Sequence, residues 1–257
     1  DFFIKKSSLL DQGKFQSPSI SPSTHSQRSV TQNETEHGVY QRFDYNPVFI
    51  EENFNQLFRP IDNVFPKTIF FSSGMAAISS TMFFIRNVLQ LSNLCIGENA
   101  YFESKWLAEN YSKTTVVNEF DREFTDNTNI FWLEYPINCS YPTKYPFDKR
   151  LDPNVELRKI HEICISNKQI KFAIVVDYTL FYLPFPIWEF INNLPDNLDI
   201  FLVTSLQKHR GYGLDLTNGG AVTVYTNRQI SDIYKSFNRI KTITGASITQ
   251  ETVWTMP

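Results

Sequence analysis

The sequence predicts an α/β fold, a mainly parallel β-sheet sandwiched by helices. Two observations lead to this prediction. Short runs that are apolar throughout, such as KFAIVVDY (171–178) and LDIFLVTS (198–205), alternate with longer runs whose apolar residues recur every three or four positions. Strands that are apolar at every position are typical of sheets buried on both faces, and helices between strands favour parallel pairing. In such sheets ligands bind at the carboxyl ends of the strands.

The elements are read from the period of the apolar residues in chain order. We predict a strand over KTIFFSS (67–73) and then a helix over 74–91, whose apolar residues recur at helical spacing. The runs NLCIGENAYF, TTVVNEF and NIFWLEYP predict short strands, with a helix over SKWLAENY between the first two. The remaining elements are a helix over 152–166 opened by Asp152 as N-cap, a strand over 171–178, a short helix at PIWEFINN, strands over 198–205 and 220–226, and a closing helix over 228–243.

Length and composition predict one large globular domain preceded by a polar arm. The chain has 257 residues, of which 42% are hydrophobic and 15% aromatic, so it can bury a full core. Residues 1–37 are rich in Ser, Gln, Thr and Pro and contain too few apolar side chains for a packed core. We therefore predict an N-terminal arm over 1–37 and a globular domain over 38–257.

Charge and cysteine content disfavour several function classes. The net charge is -3 and the 24 basic residues are scattered, which disfavours binding to nucleic acid or an anionic membrane. The three cysteines, Cys95, Cys139 and Cys164, form no CxxC pair, which indicates neither a disulfide framework nor a zinc site. No apolar stretch is long enough for a membrane span, and the start DFFIKKSSLL lacks a signal peptide's apolar core. We expect a soluble protein of the reducing cytoplasm.

Two polar features follow predicted strands and favour binding of a phosphorylated heterocycle. In SSGMAAI (72–78) a strand ends and a helix begins at once, and the backbone N–H groups of a helix start bind phosphate, with Gly74 allowing close approach. Asp177 ends an apolar strand, and a buried carboxylate needs a cationic partner such as a protonated pyridine nitrogen. An ordinary turn at Gly74, and an N-cap or arginine pair at Asp177, remain open alternatives.

Two further side chains are expected at the same edge of the sheet. Lys208 follows the strand over 198–205, and we expect a lysine just past a buried strand to be desolvated, which favours the neutral amine that condenses with an aldehyde cofactor. The 31 residues between Asp177 and Lys208 cover one crossover, which places both at one edge. Tyr101 could stack on a flat heteroaromatic ring. Taken alone, a surface lysine and an ordinary packed tyrosine remain alternatives.

In this order the pieces resemble a known family. They look like the large domain of the pyridoxal-phosphate enzymes of cysteine and methionine metabolism, the cystathionine γ-synthase and γ-lyase group of fold type I. The resemblance extends from about Tyr40 to Trp254. It rests on YQRFDYNP (40–47), similar to the family's Tyr-x-Arg and Asn-Pro element, on SSGMAAI, LEYPINCS and VVDYT, and on TSLQK, which is similar to Ser-Ala-Thr-Lys.

The resemblance implies pyridoxal 5′-phosphate as cofactor, no metal, and a role for each matching residue. Lys208 would form the Schiff base and then act as general base, with Tyr101 stacking on the cofactor ring. Asp177 would contact the pyridine nitrogen, and Asn138 the side of the ring that bears the 3-hydroxyl. The phosphate would be held by Gly74, Met75 and Ser205, by Gln207 at a position that often contacts phosphate, and by Tyr40 and Arg42 from a neighbouring subunit.

The implied activity is elimination or replacement at the β or γ carbon of a sulfur-containing or homoserine-derived amino acid, in a homodimer or homotetramer with shared active sites. Gln207, Tyr178 and Cys139 replace the family's usual threonine, asparagine and proline. The chain ends at ETVWTMP, about where the family passes into a smaller C-terminal domain carrying the arginine for the substrate carboxylate. We expect that small domain to be absent here, so that this arginine has to come from elsewhere.

Two alternative functions stay open. The departures from the family pattern and the expected missing domain favour a non-catalytic homologue that acts as a scaffold or dimer partner. A different fold-type-I enzyme, such as an aminotransferase or decarboxylase, is the other alternative, which the Tyr-x-Arg, Asn-Pro and Leu-Glu-x-Pro elements disfavour. One fold hosts many chemistries, so the fold alone does not decide between them.

Overall fold

The computed structural model describes six segments of the chain: residues 54–97, 100–117, 128–135, 153–181, 184–208 and 218–248. Several predictions made from the sequence lie outside these residues. They concern the polar arm over 1–37, the candidate cofactor residues Tyr40, Arg42 and Asn138, the substitution at Cys139, and the helix cap at Asp152.

Strands and helices alternate along the described residues, as predicted. The strands are β1 (Lys67–Phe71), β2 (Asn93–Gly97), β3 (Lys113–Val117), β4 (Ile130–Glu134), β5 (Phe172–Asp177), β6 (Leu198–Ser205) and β7 (Gly220–Tyr225). The helices are α1 (Gly74–Asn87), α2 (Phe102–Tyr111), α3 (Pro153–Ser166) and α4 (Ile230–Thr244).

Two helices are shorter than predicted. Helix α1 ends at Asn87 instead of residue 91, and Gln90 has a φ of 60°, in the left-handed region that does not continue an α-helix. The segment PIWEFINN forms only a 3₁₀ turn over Ile187–Glu189. So short a segment does not recover the cost of nucleating an α-helix, and tight 3₁₀ turns are the usual outcome.

The described strands form one seven-stranded sheet in the order β1-β7-β6-β5-β4-β2-β3. The pairs β2–β3, β2–β4, β4–β5 and β5–β6 are parallel, whereas β7 is antiparallel to both β6 and β1. The predicted mainly parallel sheet is confirmed, and the reversed direction of β7 is an addition to it. Because β1 is antiparallel to an antiparallel strand, it points the same way as β6 and ends at the same edge of the sheet.

Both faces of the sheet are covered by helices. On one face Ala173 and Val175 of β5 belong to a core that includes α1 and α4, where the rings of Phe84 and Phe237 stack with centroids 4.6 Å apart. On the other face the alternate residues of β5 pack in a second core that includes side chains of α3. Burial on both faces explains why consecutive positions in the middle of the central strands, 173–176 and 200–203, are all apolar. It also fixes the positions of the strand ends and of the side chains on them.

Within the described segments, no helix has both the length and the apolar character required to cross a membrane. Cys95 and Cys164 are free and buried in the core. Burial raises the pKa of Cys95 to about 11 and that of Cys164 to about 12. Both thiols therefore stay protonated at neutral pH and act as small apolar side chains.

Candidate functional site

A cleft of about 410 Å³ lies where β4, β5 and β6 have their carboxyl ends and where α1 begins. This is the edge at which open α/β sheets bind ligands. The structure brings seven of the residues selected from the sequence together in its lining: Gly74, Met75, Tyr101, Asp177, Ser205, Gln207 and Lys208. The other three, Tyr40, Arg42 and Asn138, lie outside the described residues.

The start of α1 presents backbone N–H groups to the cleft. Ser73 caps the helix, since its Oγ accepts the Ala76 N–H at 3.0 Å and its carbonyl accepts the Ala77 N–H at 3.0 Å. These bonds leave the N–H groups of Gly74 and Met75 without a hydrogen-bond partner among the described residues. A helix start with such N–H groups favours a bound anion, and phosphate above all.

Glycines allow this helix start to lie directly on the strand ends. A Cβ atom at Gly74 would be 2.6 Å from the Cβ of Ser205, at the end of β6. A Cβ atom at Gly220, the first residue of β7, would be 2.2 Å from the carbonyl oxygen of Ser73. Neither position accepts a side chain without displacement of the backbone. The two glycines therefore fix the distance between the α1 N–H groups and Ser205.

Asp177 lies buried at the end of β5, with 7% of its surface exposed. Its Oδ1 accepts the Thr179 N–H at 3.0 Å, and no described cationic side chain forms an ion pair with it. Burial raises the pKa of Asp177, against the hydrogen bonds from Thr179, which lower it. A buried carboxylate in this state gains most from a ligand that brings a positive charge or an N–H donor.

Thr179 ties the two strand ends of the site together. Besides donating its N–H to Asp177, it accepts the Ser205 N–H on its Oγ1 at 2.9 Å. The side chains of Asp177 and Ser205 are thereby held in a fixed relation across β5 and β6. No role was predicted for Thr179 from the sequence. Its position two residues after a strand-ending aspartate, where Asx-type turns are common, was the available signal.

The prediction that Lys208 is desolvated is wrong, because its side chain is exposed. Strand β6 ends at Ser205 and Leu206 is the last buried residue before Lys208, which lies beyond the core at the opening of the cleft. Gln207, the residue before Lys208, donates its N–H to the Ser205 Oγ at 3.4 Å. The Lys208 amine is thus accessible from the cleft.

Tyr101 precedes α2 and lines the cleft with a partly buried ring. Its backbone N–H donates to the Glu134 Oε1 at 2.5 Å. Burial is the main cause that raises the pKa of the Tyr101 phenol. A hydrogen bond with Glu103 and the negative charges of Glu103, Asp177 and Glu134 raise this pKa further. The phenol therefore stays protonated near neutral pH.

Glu134 is a cleft residue that the sequence analysis did not select. It ends β4 and is the register partner of Asp177 on β5, so two carboxyl groups lie side by side on one wall. Burial, and then the charge of Asp177, raise the pKa of Glu134 to about 7, against the lowering effect of the Tyr101 N–H. The signal in the sequence was a charged residue ending an apolar strand, the same pattern that pointed to Asp177.

Tyr178, one of the positions at which the sequence departs from the resembled motif, does not line the cleft. Its side chain is 1% exposed and packs in the core on the α3 side of the sheet, edge-on to Phe58 with ring centroids 6.4 Å apart. The cleft is lined by its neighbours Asp177 and Thr179 instead. Position 178 therefore serves packing.

The sequence matches no protein-family profile and no curated protein. Solved structures do match. The methionine γ-lyase CalE6 from Micromonospora echinospora matches with a TM-score of 0.59 at 17% identity, over 96% of this chain and 62% of its own. An aminotransferase from Anaerococcus prevotii matches with a TM-score of 0.59 at 14% identity, over 87% of this chain and 58% of its own.

A third match is the aromatic-amino-acid aminotransferase from Burkholderia pseudomallei, solved covalently bound to pyridoxal phosphate. Its TM-score is 0.58 at 12% identity, over 87% of this chain and 60% of its own. The chain thus spans about three-fifths of the length of these structures. At such identities the likeness concerns the fold. It confirms the fold predicted from the sequence: the chain has the pyridoxal-phosphate-dependent transferase-like fold, a mainly parallel sheet between helices.

Proposed function

We propose that the chain binds pyridoxal 5′-phosphate in the cleft and belongs to an enzyme that acts on amino acids. The observation that carries the proposal is the meeting of three groups in one cleft: a helix start, a buried carboxylate and an accessible primary amine. They stand on α1, β5 and the segment after β6, so only the fold brings them together. A phosphate, a pyridine nitrogen and an aldehyde are the three groups of this cofactor that they complement.

The phosphate end fits the start of α1. The N–H groups of Gly74 and Met75 would hold the phosphate, together with the hydroxyl of Ser205 and the side chain of Gln207. The close contact of Gly74 with Ser205 sets the start of α1 directly beside the Ser205 hydroxyl, so both can donate to the same phosphate. Tyr40 and Arg42 are proposed as additional phosphate ligands from a neighbouring subunit.

The ring end fits the opposite wall of the cleft. The Asp177 carboxylate would accept a hydrogen bond from the protonated ring nitrogen. That nitrogen would supply the positive charge that a buried carboxylate favours. Tyr101 would lie against the ring face, and Asn138 is proposed on the side of the 3-hydroxyl. When bound, the cofactor supplies an electron sink for the negative charge that develops at the substrate's α-carbon.

The chain's own residues perform the remaining tasks. The Lys208 Nζ would hold the cofactor at its aldehyde carbon, and the same amine would serve as the base that takes the proton from the substrate's α-carbon and returns it. Asp177 would keep the ring nitrogen protonated. The hydrogen bond from the Ser205 N–H to the Thr179 Oγ1 keeps Ser205, at the phosphate end, in a fixed position relative to Asp177, at the ring end.

For the reaction itself we propose elimination or replacement at the β or γ carbon of a sulfur-containing or homoserine-derived amino acid. The proposal is supported by the motif resemblance at YQRFDYNP and LEYPINCS and by the structural likeness to a methionine γ-lyase. The similar structures also include aminotransferases, so amino transfer is the competing reaction.

A product assay distinguishes the two reactions. The cofactor-loaded chain is incubated with a thioether amino acid, with and without an added 2-oxo acid. Elimination yields thiol, ammonia and a new 2-oxo acid in equal amounts and needs no acceptor. Amino transfer yields no thiol and proceeds only when the acceptor is present, and that result would contradict the proposed reaction. The K208A variant is the inactive control.

A further inference from the structure

Glu134 is a buried carboxyl group of the cleft to which the proposed function gives no task. It lies at the end of β4, between Asp177 on the neighbouring strand and the start of α2. Its Oε1 accepts the Tyr101 backbone N–H. Lys105, one turn further along α2, adds a positive charge that lowers the Glu134 pKa, while the Asp177 carboxylate raises it. Glu134 thus interacts with α2 through a hydrogen bond and through charge.

Helix α2 has few other attachments at this end. Its N-cap residue is Tyr101, whose side chain makes no capping hydrogen bond. Of the α2 side chains only Ser104 and Ala108 are buried, while Phe102 and Trp106 are exposed at 48% and 62%. A helix start without a cap of its own leaves N–H groups that must be satisfied from elsewhere. Glu134 supplies that acceptor from a rigid strand.

We propose that Glu134 is a positioning residue that fixes the Tyr101 backbone and thereby holds the Tyr101 ring over the ligand bound at Asp177. The inference rests on the proposed function for the identity of that ligand, but the link between Glu134 and Tyr101 belongs to the chain itself. A carboxyl group offers an acceptor oxygen to this N–H whether or not it is ionised. Glu134 therefore serves the ring contact without touching the reacting atoms.

The first test uses the chain without cofactor. Hydrogen exchange of the Tyr101 amide is followed by NMR in wild type and in E134A, E134L and E134Q. Loss of this hydrogen bond should speed the exchange by about three- to tenfold in E134A and E134L. E134Q keeps an acceptor oxygen and should restore most of the protection. The leucine variant replaces glutamate by an apolar side chain of similar size, so a result is obtained even if the alanine variant does not fold.

Glu109 provides the matched control, since it is an exposed glutamate on the same helix. E109A and E109Q should leave exchange at Tyr101 unchanged. Unchanged Tyr101 exchange in a folded E134L variant would overturn the proposal. So would a failure of E134Q to protect the amide better than E134L does.

The second test asks whether Glu134 acts through Tyr101. Pyridoxal 5′-phosphate affinity is measured for wild type, E134L, Y101A and the double variant. E134L should weaken binding by about tenfold in the wild-type background and by less than about twofold in the Y101A background, because the two positions act as one unit. Additive losses would overturn the proposal. If wild type binds no cofactor at all, the proposed function fails, while the amide exchange still decides the role of Glu134.

Discussion

Glu134 and Asp177 end neighbouring strands and place two carboxyl groups on one wall of the cleft. Their Cα atoms are register partners, and the charge of Asp177 makes ionisation of Glu134 less favourable. Between about pH 4.5 and 7 the folded chain therefore keeps a proton on Glu134 that the unfolded chain releases. A pair of this kind weakens the fold, which is typical of groups retained for a ligand.

We predict that Glu134 makes stability fall as pH rises from about 4.5 to 7. The pKa of Glu134 is raised from 4.5 to about 7, so between these values the folded state binds a proton that the unfolded state lacks. The free energy of unfolding is therefore highest, as far as Glu134 determines it, below pH 4.5, and it falls by about 2–3 kcal/mol as the pH rises to about 7. Urea unfolding from pH 4.5 to 8 measures it, and E134Q should remove this part of the slope. Parallel profiles for wild type and E134Q would contradict the prediction.

Asp177 and Asp199 form a matched pair for separating ligand binding from stability. Both are buried and lie on adjacent strands, but Asp199 pairs with Arg228 at 3.1 Å and accepts a hydrogen bond from Thr226, whereas Asp177 has no ion pair with a described side chain. D177N should leave stability unchanged or raise it by about 1 kcal/mol, because it removes an unpaired buried charge.

The same D177N change should weaken cofactor binding by about 10–100-fold, the effect of losing one charged hydrogen bond. D199N should do the opposite: it should lower stability by about 1–2 kcal/mol and change cofactor affinity little. The loss of stability is moderate because Arg228 is partly exposed, so solvent compensates in part for the ion pair that D199N removes. Calorimetry gives both quantities. An equal loss of affinity in the two variants would show that Asp177 acts only through the fold.

At the scale of elements, α1 is the part that most directly shapes the phosphate end of the cleft. Its start is fixed by the Ser73 cap and by the close contact of Gly74 with Ser205. The sequence predicted this strand-to-helix junction because the strand-like run KTIFF is followed directly by Ser-Ser-Gly. It did not predict the early end of α1 at Asn87, since the apolar residues continue at helical spacing to Leu91 and only the backbone at Gln90 breaks the pattern.

Removing the cap should loosen the junction. S73A removes the hydroxyl that accepts the Ala76 N–H and should lower stability by about 1 kcal/mol. It should also weaken phosphate and cofactor binding, because the first turn of α1 is then less ordered. Ser79 lies on the same helix, and its hydroxyl donates to the Ala76 carbonyl at 3.3 Å without capping the helix start, so S79A is the control with smaller effects. Thermal unfolding and cofactor titration check both; equal effects of the two variants would contradict the role given to the cap.

At the scale of the whole molecule, the sequence predicts the layers and most strands, because buried parallel strands leave an unbroken apolar pattern. The run LDIFLVTS has the same bounds in the structure as in the prediction. The direction of a strand and its register with its neighbour do not change this apolar pattern, so they could not be predicted from it. The reversal of β7 was missed because its apolar pattern is the same in either direction, and Glu134 because only the pairing of β4 with β5 places it beside Asp177. The exposure of Lys208 depends on the path of the chain after β6.

Sharing of sites between subunits is a further prediction at this scale. If Arg42 serves the neighbour's cofactor, a mixed dimer of an R42A chain and a K208A chain contains one site with both residues intact and one with neither. Mixing the two inactive variants should then restore about half of the wild-type activity per mixed dimer. If each site uses its own Arg42, neither site is complete, and mixing restores nothing. Activity measured after co-refolding the variants distinguishes these outcomes.

Covalent trapping shows directly whether the cleft holds pyridoxal phosphate on Lys208. The chain is incubated with the cofactor, treated with borohydride and digested, and the peptides are examined by mass spectrometry. We expect one cofactor per chain, on the peptide that contains Lys208. K208A should lose this label, and K168A, at an exposed lysine outside the cleft, should keep it. A label scattered over surface lysines, or absent from the Lys208 peptide, would contradict the proposed attachment.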